Sequence, residues 1–223
     1  MPHFYHQSEN ILISTNYKVL YSFLRRQEKR SGLLYISEKH LLGFKKTQAK
    51  NADHVLLVRN PYARIMSFYK DKFHQHPAAE TLTYGDLQRC QRIFITELYP
   101  DISDDTPADD INRALTSVSF SDFVETLPKV YQLDGHLYPQ HQIALFRHRY
   151  LRFRHTRLDF SHTFKIETDL ELFSNLTGLN TSDKVNSTKS VSLKIEWDDN
   201  SRKTIQDIYR QDFEDYHYDT QAV

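Results

Sequence analysis

The sequence has few of the residues that stabilise small secreted proteins or form nucleotide-binding loops. It contains one cysteine, Cys90, which excludes an internal disulfide and is typical of a reducing compartment. Its five glycines argue against a glycine-rich nucleotide loop. No apolar run reaches the roughly 18 residues of a membrane span, and the N-terminal stretch MPHFYHQSEN lacks the charged and apolar regions of a signal peptide. We therefore expect a soluble, cytoplasmic protein without an integral membrane segment.

An excess of one charge sign is also missing. Lysine plus arginine and aspartate plus glutamate number 29 each, so no global field favours nucleic acid or a membrane surface. A chain of 223 residues suits one well-packed domain of mixed type. We therefore predict a single domain over residues 1–223 that does not bind nucleic acid, and the sequence leaves the oligomeric state open.

The most informative stretch is HVLLVRNPYARIMSFYKDKF, residues 54–73. Val55 to Val58 is a short apolar, β-branched run, which is typical of a strand buried on both faces. Asn60 is a good helix N-cap and Pro61 suits the first helical position. Apolar residues then recur at helical spacing, namely Tyr62, Ile65, Met66, Tyr69 and Phe73. The stretch predicts a strand, a tight turn and a helix, with Arg59 at the sheet edge where open α/β sheets bind ligands.

Two other short strands precede this stretch. Ile11 to Ser14 is apolar, and residues 17–28 follow it with helical phasing. Residues 32–37, GLLYIS, read as another strand. Strands separated by helices of this length indicate a mainly parallel sheet and therefore an α/β fold. Further on, the alternating basic residues at 149–154 predict a strand or hairpin with one basic face.

The string RNPYARIMSFY, residues 59–69, resembles the R-x-P-x-x-R-x-x-S-x-Y signature of sulfotransferases, particularly the carbohydrate sulfotransferases. The resemblance implies that Arg59 and Ser67 hold the 3′-phosphate of the donor 3′-phosphoadenylyl sulfate. The chemistry agrees, because a guanidinium fork matches a phosphate dianion and a hydroxyl adds a neutral donor. Arg64 is a further donor-site candidate, although it can pair instead with Asp71 or with the acidic loop at residues 101–110.

Two more stretches are similar to donor-binding motifs of the same family. Residues 17–24, YKVLYSFL, resemble its first motif, P-K-x-G-x-T/S-S/T-L. The resemblance implies that Lys18 is the catalytic lysine and that Ser22 binds the 5′-phosphate, with N–H groups at the helix start as added anion donors. Residues 184–189, KVNSTK, resemble its N-S-S/T loop and imply that Ser187 and Lys189 reach the donor.

Residues 134–142, DGHLYPQHQ, are similar to the H-x-x-P-Q element that faces the acceptor in carbohydrate sulfotransferases. The resemblance implies that His136 is the general base, and an imidazole suits the removal of a proton from an acceptor hydroxyl. His141 is the competing candidate, and Glu167 is an acidic one. Residues 208–218 resemble the terminal helix of the family, so the motifs occur in family order over nearly the whole chain.

These resemblances imply a single domain with a P-loop-like, mainly parallel sheet. It would transfer a sulfuryl group from 3′-phosphoadenylyl sulfate to a hydroxyl of a carbohydrate, such as a polysaccharide or glycolipid. No metal is expected, because Val19 follows Lys18 where a Walker loop has the Ser or Thr that binds Mg²⁺. The absence of an anchor and disulfides indicates a bacterial relative, although an excised catalytic domain would also lack the anchor.

Two other classes stay open. Leu20 and Tyr21 replace small residues of the first motif, which fits a catalytically degenerate sulfotransferase fold that binds a nucleotide or glycan without turnover. A nucleotide kinase is the second alternative, and a requirement for Mg²⁺ with ATP would favour it. The sequence does not determine the acceptor or the sulfated position.

Overall fold

The computed structural model describes residues 1–74, 82–147, 155–183, 195 and 197–221. Within these ranges the chain forms two compact units. The first unit comprises Met1–Asn60, Pro139–Ser187 and Gln211–Asp219, and the second comprises Pro61–Tyr138, Thr188–Arg210 and Thr220–Val223. The assignment of residues 1–223 to one domain stays a prediction.

The strands of the described ranges all belong to the first unit. They are β1 (Pro2–His6), β2 (Ile11–Ser14), β3 (Leu33–Ser37), β4 (Asp53–Val58), β5 (Leu145–Arg147), β6 (His155–Arg157) and β7 (His162–Lys165). Five of them form one sheet in the order β3-β1-β2-β4-β7, while β5 and β6 pair with each other. Strands β2, β4 and β7 are parallel, whereas β1 is antiparallel to β2 and to β3. The fold is therefore α/β with a mixed sheet.

The α-helices of the described ranges are α1 (Tyr21–Arg30), α2 (Glu38–Thr47), α3 (Pro61–Tyr69), α4 (Arg89–Leu98), α5 (Ala108–Ser117), α6 (Phe120–Val130), α7 (Leu170–Thr177) and α8 (Asp199–Asp215). Helix α8 is kinked at Tyr209, where φ is −108° and ψ is 21°. None of the helices in the described part of the chain combines the length and apolar character that crossing a membrane requires.

The sequence predicted a mainly parallel sheet. This prediction is wrong, because two of the four strand pairings in the observed sheet are antiparallel. Strand β1 lies between β2 and β3, and the sequence reading did not include it. A tight turn returns the chain from β1 to β2, with Asn10 in the left-handed region at φ 51°. Asparagine adopts this conformation more readily than most residues, so the hairpin closes locally. The P-loop-like character of the sheet stays a prediction.

The central strands are buried on both faces, as predicted for residues 55–58. On one face, Ile13, Val55 and Leu57 pack with residues of α1 and α7, including Phe23 and Phe173. On the other face, the side chains of β1 and β2 pack with the apolar side of α2. Each buried aliphatic side chain contributes about 1.5–3 kcal/mol, so this core fixes the carboxyl ends of β2 and β4.

The second unit is helical among its described residues and has an aromatic core. Helix α3 begins at Pro61, as predicted. The rings of Phe68, Phe94 and Phe123 bring α3, α4 and α6 together, with a Phe94–Phe123 centroid distance of 4.9 Å. Tyr69 packs on the same cluster and donates its hydroxyl proton to Val118 O at 2.8 Å. This packing holds α3, the helix that follows Arg59 in the sequence, against α4 and α6.

A buried polar chain crosses β1, β2 and β4. Ser14 Oγ lies 2.6 Å from His3 Nδ1 and 2.7 Å from His54 Nε2. Lys45 Nζ lies 3.2 Å from His54 Nδ1. Burial, helped by the Lys45 charge, lowers the pKa of His54 to about 3, and burial also lowers the pKa of His3 well below its usual range. Both rings are therefore neutral at pH 7.

The low histidine pKa values predict a stability that falls in acid. An unfolded histidine has a pKa of about 6.5, so stability is complete above that pH and is lost as pH falls toward the folded pKa near 3. For His54 the loss between pH 7 and pH 5 is about 2 kcal/mol. Urea unfolding of His54→Gln should show a flatter pH dependence than the native chain. The matched control is His40→Gln, an exposed histidine on α2, and an equal slope in His54→Gln and the native chain would contradict this prediction.

Candidate active site

Arg59 follows the carboxyl end of β4, and Gln140 holds its backbone. Arg59 N donates to Gln140 Oε1 at 2.9 Å, and Gln140 Nε2 donates to Arg59 O at 2.7 Å. Gln140 is fully buried. The side-chain amide therefore pairs with Arg59 as a neighbouring strand would, which fixes where the arginine leaves the sheet.

The turn between β2 and α1 places Lys18 beside Arg59. Arg59 Nη1 donates to Lys18 O at 3.0 Å. Lys18 has φ 67° and Leu20 has φ 53°, so both residues occupy the left-handed region that non-glycine residues rarely adopt. Leu20 stands at the glycine position of the motif resembled by residues 17–24, and it takes the backbone conformation that glycine favours. The structure thus joins Lys18 and Arg59, one residue of each predicted donor motif, within the first unit.

Ser22 lies in the first turn of α1 and is exposed. No side chain caps the N-terminus of this helix among the described residues. The first N–H groups of a helix carry partial positive charge and bind anions well. The phosphate-binding role of Ser22 stays a prediction.

His141, the competing base, belongs to a carboxylate pair in the first unit. His141 Nδ1 lies 2.8 Å from Asp212 Oδ1, which also accepts from His141 N at 2.8 Å. The other oxygen of Asp212 accepts from Gln140 N at 2.7 Å. Asp212 is fully buried on α8. A carboxylate at Nδ1 keeps the ring proton there and makes Nε2 the accepting nitrogen.

His136 forms a similar pair in the second unit. His136 Nδ1 lies 2.6 Å from Asp134 Oδ1, which also accepts from His136 N at 2.9 Å. Burial opposes ionisation of Asp134, but its hydrogen bonds from His136 outweigh this effect and keep its pKa below the usual range. The ring of Phe68 flanks His136 at a centroid distance of 6.1 Å. The His136 ring is thus oriented like that of His141.

Among the described residues Arg64 is the largest fully buried side chain, and it holds the loop that carries His136. Its Nη1 donates to His136 O at 2.9 Å and its Nη2 donates to Tyr138 O at 3.1 Å. Its guanidinium lies over the Tyr209 ring at 5.1 Å, and Tyr209 donates its hydroxyl proton to Leu137 O at 2.8 Å. The donor-site role of Arg64 stays a prediction, while its observed contacts are with loop carbonyls.

The other predicted site residues are dispersed. Ser67 lies on α3 in the second unit and is partly exposed. Glu167, the acidic alternative, accepts from Asn60 N at 2.9 Å and from the Tyr218 hydroxyl at 3.1 Å. Ser187, Lys189 and the basic residues at 149–154 lie outside the described residues. Asp134 and Asp212 had no assigned role at the sequence level, although each lies in a stretch that resembles a family motif.

A family model described as "Sulfotransferase family" matches residues 22–219. The chain belongs to the sulfotransferase family. The match begins at Ser22, so Lys18 precedes the matched range of this sulfotransferase. The searches of curated proteins and of solved structures found no match. The family therefore supports sulfuryl transfer in general, and the roles of single residues rest on the contacts described above.

The buried guanidinium predicts a large stability loss in Arg64→Met. The substitution keeps an apolar side chain but removes two hydrogen bonds to part-buried carbonyls, at a cost of about 2–4 kcal/mol. Arg113→Met is the matched control, because Arg113 is exposed and pairs only across one helical turn with Asp110 at 3.0 Å. Its cost should stay within about 0.5 kcal/mol. Urea unfolding measures both values, and equal costs would show that the Arg64 contacts contribute nothing.

Proposed function

We propose that this sulfotransferase transfers the sulfuryl group of 3′-phosphoadenylyl sulfate to a hydroxyl of a carbohydrate. The observation that carries the proposal is the 3.0 Å hydrogen bond from Arg59 Nη1 to Lys18 O. It joins the two sequence motifs that the family uses for its donor, at the carboxyl ends of neighbouring parallel strands β2 and β4. That edge is where open α/β sheets bind ligands.

The donor contacts divide between its two phosphate ends. Arg59 binds the 3′-phosphate through its guanidinium fork, and the motif adds Ser67 to the same phosphate. Lys18 and Ser22 bind the 5′-phosphosulfate end, where the N-terminus of α1 adds N–H donors. The resemblance of residues 184–189 adds Ser187 and Lys189.

Transfer is an in-line displacement at sulfur. The bond from the acceptor oxygen to sulfur forms while the bond from sulfur to the bridging oxygen of the 5′-phosphate breaks. Lys18 neutralises the charge that develops on this bridging oxygen, and adenosine 3′,5′-bisphosphate leaves. Positioning and electrostatic stabilisation supply most of the rate in such reactions. The reaction as proposed uses no metal.

His136 is the proposed base that takes the proton from the acceptor hydroxyl. The Asp134 carboxylate at Nδ1 supports this role, because it leaves Nε2 as the accepting nitrogen. His141 remains the competing base, since Asp212 orients it in the same way and it shares the first unit with Lys18 and Arg59. A carbohydrate or glycolipid acceptor and a cytoplasmic location are proposed from the sequence alone.

A catalytically degenerate sulfotransferase is the second candidate. Leu20 supports it, because a leucine side chain stands where the motif has a glycine close to the phosphosulfate. This candidate binds the donor but forms no product. A nucleotide kinase, the third class, requires ATP and Mg²⁺.

The donor assignment predicts that adenosine 3′,5′-bisphosphate binds more tightly than AMP. The 3′-phosphate adds a charge-assisted contact to Arg59 that is worth about 1.5–3 kcal/mol, or about 10- to 150-fold in affinity. Calorimetry on Arg59→Gln should show most of this preference lost, with AMP affinity as the internal reference. Arg113→Gln is the control for a lost surface charge. Equal affinities of the native chain for the two nucleotides would contradict the donor assignment.

The base assignment predicts that His136→Ala lowers kcat by about 10²- to 10⁴-fold, while adenosine 3′,5′-bisphosphate still binds. His141→Ala is the matched variant, because both rings pair with an aspartate through Nδ1. Turnover is measured with radiolabelled donor and a mixture of polysaccharides and glycolipids as acceptors. A loss confined to His141→Ala would move the base to His141. Donor binding without labelled product in the native chain would favour the degenerate candidate.

A further inference from the structure

Three metal-ligating side chains meet in the second unit. They are Cys90 on α4 and Asp134 and His136 in the loop after α6, and their ligand atoms all lie within 4.8 Å of one another. Cys90 is 2% exposed and Asp134 is 8% exposed. The His136 side chain is 27% exposed and gives the cluster its access to solvent.

We propose that Cys90, Asp134 and His136 form a binding site for a thiophilic divalent metal ion such as Zn²⁺. Thiolate, imidazole and carboxylate are the ligands that Zn²⁺ takes in proteins, at about 2.3, 2.0 and 2.1 Å. Three protein ligands leave the fourth tetrahedral position for water. The proposed function gives His136 a role as the base but gives none to Cys90, and metal binding at this cluster does not depend on that function.

The geometry requires small side-chain movements. Ligand atoms around a tetrahedral zinc lie roughly 3.3–3.6 Å apart, given these bond lengths. The present Nδ1–Oδ1 distance of 2.6 Å must open, and Sγ must approach from within 4.8 Å. Both changes are on the order of 1 Å, which χ rotations of the three side chains can supply.

The charges balance on binding. The thiol of Cys90 releases its proton to solvent and bonds to the metal as a thiolate. Neutral His136 moves its ring proton from Nδ1 to Nε2 and binds the metal through Nδ1. One thiolate and one carboxylate then cancel the two positive charges of the ion. Lys72 interacts electrostatically with Cys90, but it is paired with Asp71 at 2.8 Å and donates to Gln88 at 2.6 Å. Arg89 also faces Asp134, so we expect moderate affinity.

The second histidine–aspartate pair provides a matched control. His141 and Asp212 repeat the pairing of His136 and Asp134 at 2.8 Å. Cys90 is the only cysteine of the chain and already belongs to the first pair, so a thiolate site at His141 is impossible. A signal that depends on both a thiolate and His136 therefore identifies this cluster alone.

Metal binding has one consequence for catalysis, and this consequence rests on the proposed function. A metal at Nδ1 holds the ring proton on Nε2, so His136 can no longer accept the acceptor proton. Zn²⁺ would then inhibit transfer through the base. Inhibition tests the two proposals together, whereas metal binding tests the site by itself.

The test is a Co²⁺ titration of the reduced, metal-free full chain, followed by ultraviolet and visible absorption. Tetrahedral Co²⁺ bound to a thiolate shows a sulfur-to-metal charge-transfer band, which here can come only from Cys90. We expect saturation at one equivalent and displacement by Zn²⁺ but not by Mg²⁺, which prefers oxygen ligands. Cys90→Ser should remove the band. His136→Gln should weaken Co²⁺ binding by about 10-fold or more, since loss of even an outer partner costs that much.

His141→Gln should bind Co²⁺ with the affinity of the native chain, and circular dichroism checks that each variant is folded. If Cys90→Ser does not fold, the Co²⁺ affinity of His136→Gln, which retains the thiol, tests the proposed site instead. The proposal is overturned by a native chain without the band at excess Co²⁺, or by His136→Gln and His141→Gln with equal affinities. A failure of donor binding or turnover would leave the Co²⁺ result unchanged, so the two proposals fail separately.

Discussion

The buried carboxylate of Asp212 is the interaction on which the arrangement of the first unit depends. It accepts from Gln140 N, from His141 N and from the His141 ring. A fully buried carboxylate is tolerated only when hydrogen bonds replace those it makes with water. Removing any of these three donors would therefore lower the free energy of unfolding. They place the Gln140 side chain against the Arg59 backbone, and Arg59 in turn bonds Lys18 O. One carboxylate thus fixes a histidine, an arginine and the lysine turn.

The lysine turn is held in a conformation that its residues do not favour. Left-handed backbone at Lys18 and Leu20 costs about 1–2 kcal/mol for each residue. Two contacts hold this turn in place. The Val19 side chain is buried, and Thr15 Oγ1 donates a hydrogen bond to Val19 O at 2.6 Å. Strain of this kind persists where the surroundings over-determine the backbone, and it concentrates at functional sites. The strain therefore supports a binding role for this turn, even though Leu20 replaces a glycine.

The sequence predicted the parts of the fold that local patterns determine. The apolar runs of β2 and β4 and the Pro61 start of α3 were correct, because burial and φ preference act within a few residues. Strand β1 was missed because its sequence, PHFYH, carries proline and two histidines that read as polar. Both histidines are buried, and His3 pairs with Ser14, a contact that sequence spacing does not reveal.

Some residues of the candidate site were likewise predicted from local sequence patterns, and others were revealed only by the fold. Motif resemblance located Lys18, Arg59 and both histidines, but it gave no role to Asp134 or Asp212, whose importance lies in their partners. Asp212 is distant in sequence from His141, and only the fold brings the two together. For Arg64 the motif was less informative than the fold. Its place in the motif suggested that it binds a phosphate of the donor, whereas its observed contacts are the carbonyls of His136 and Tyr138. A guanidinium that donates to loop carbonyls holds the loop that carries His136, the proposed base. Such preorganisation is what electrostatic catalysis requires.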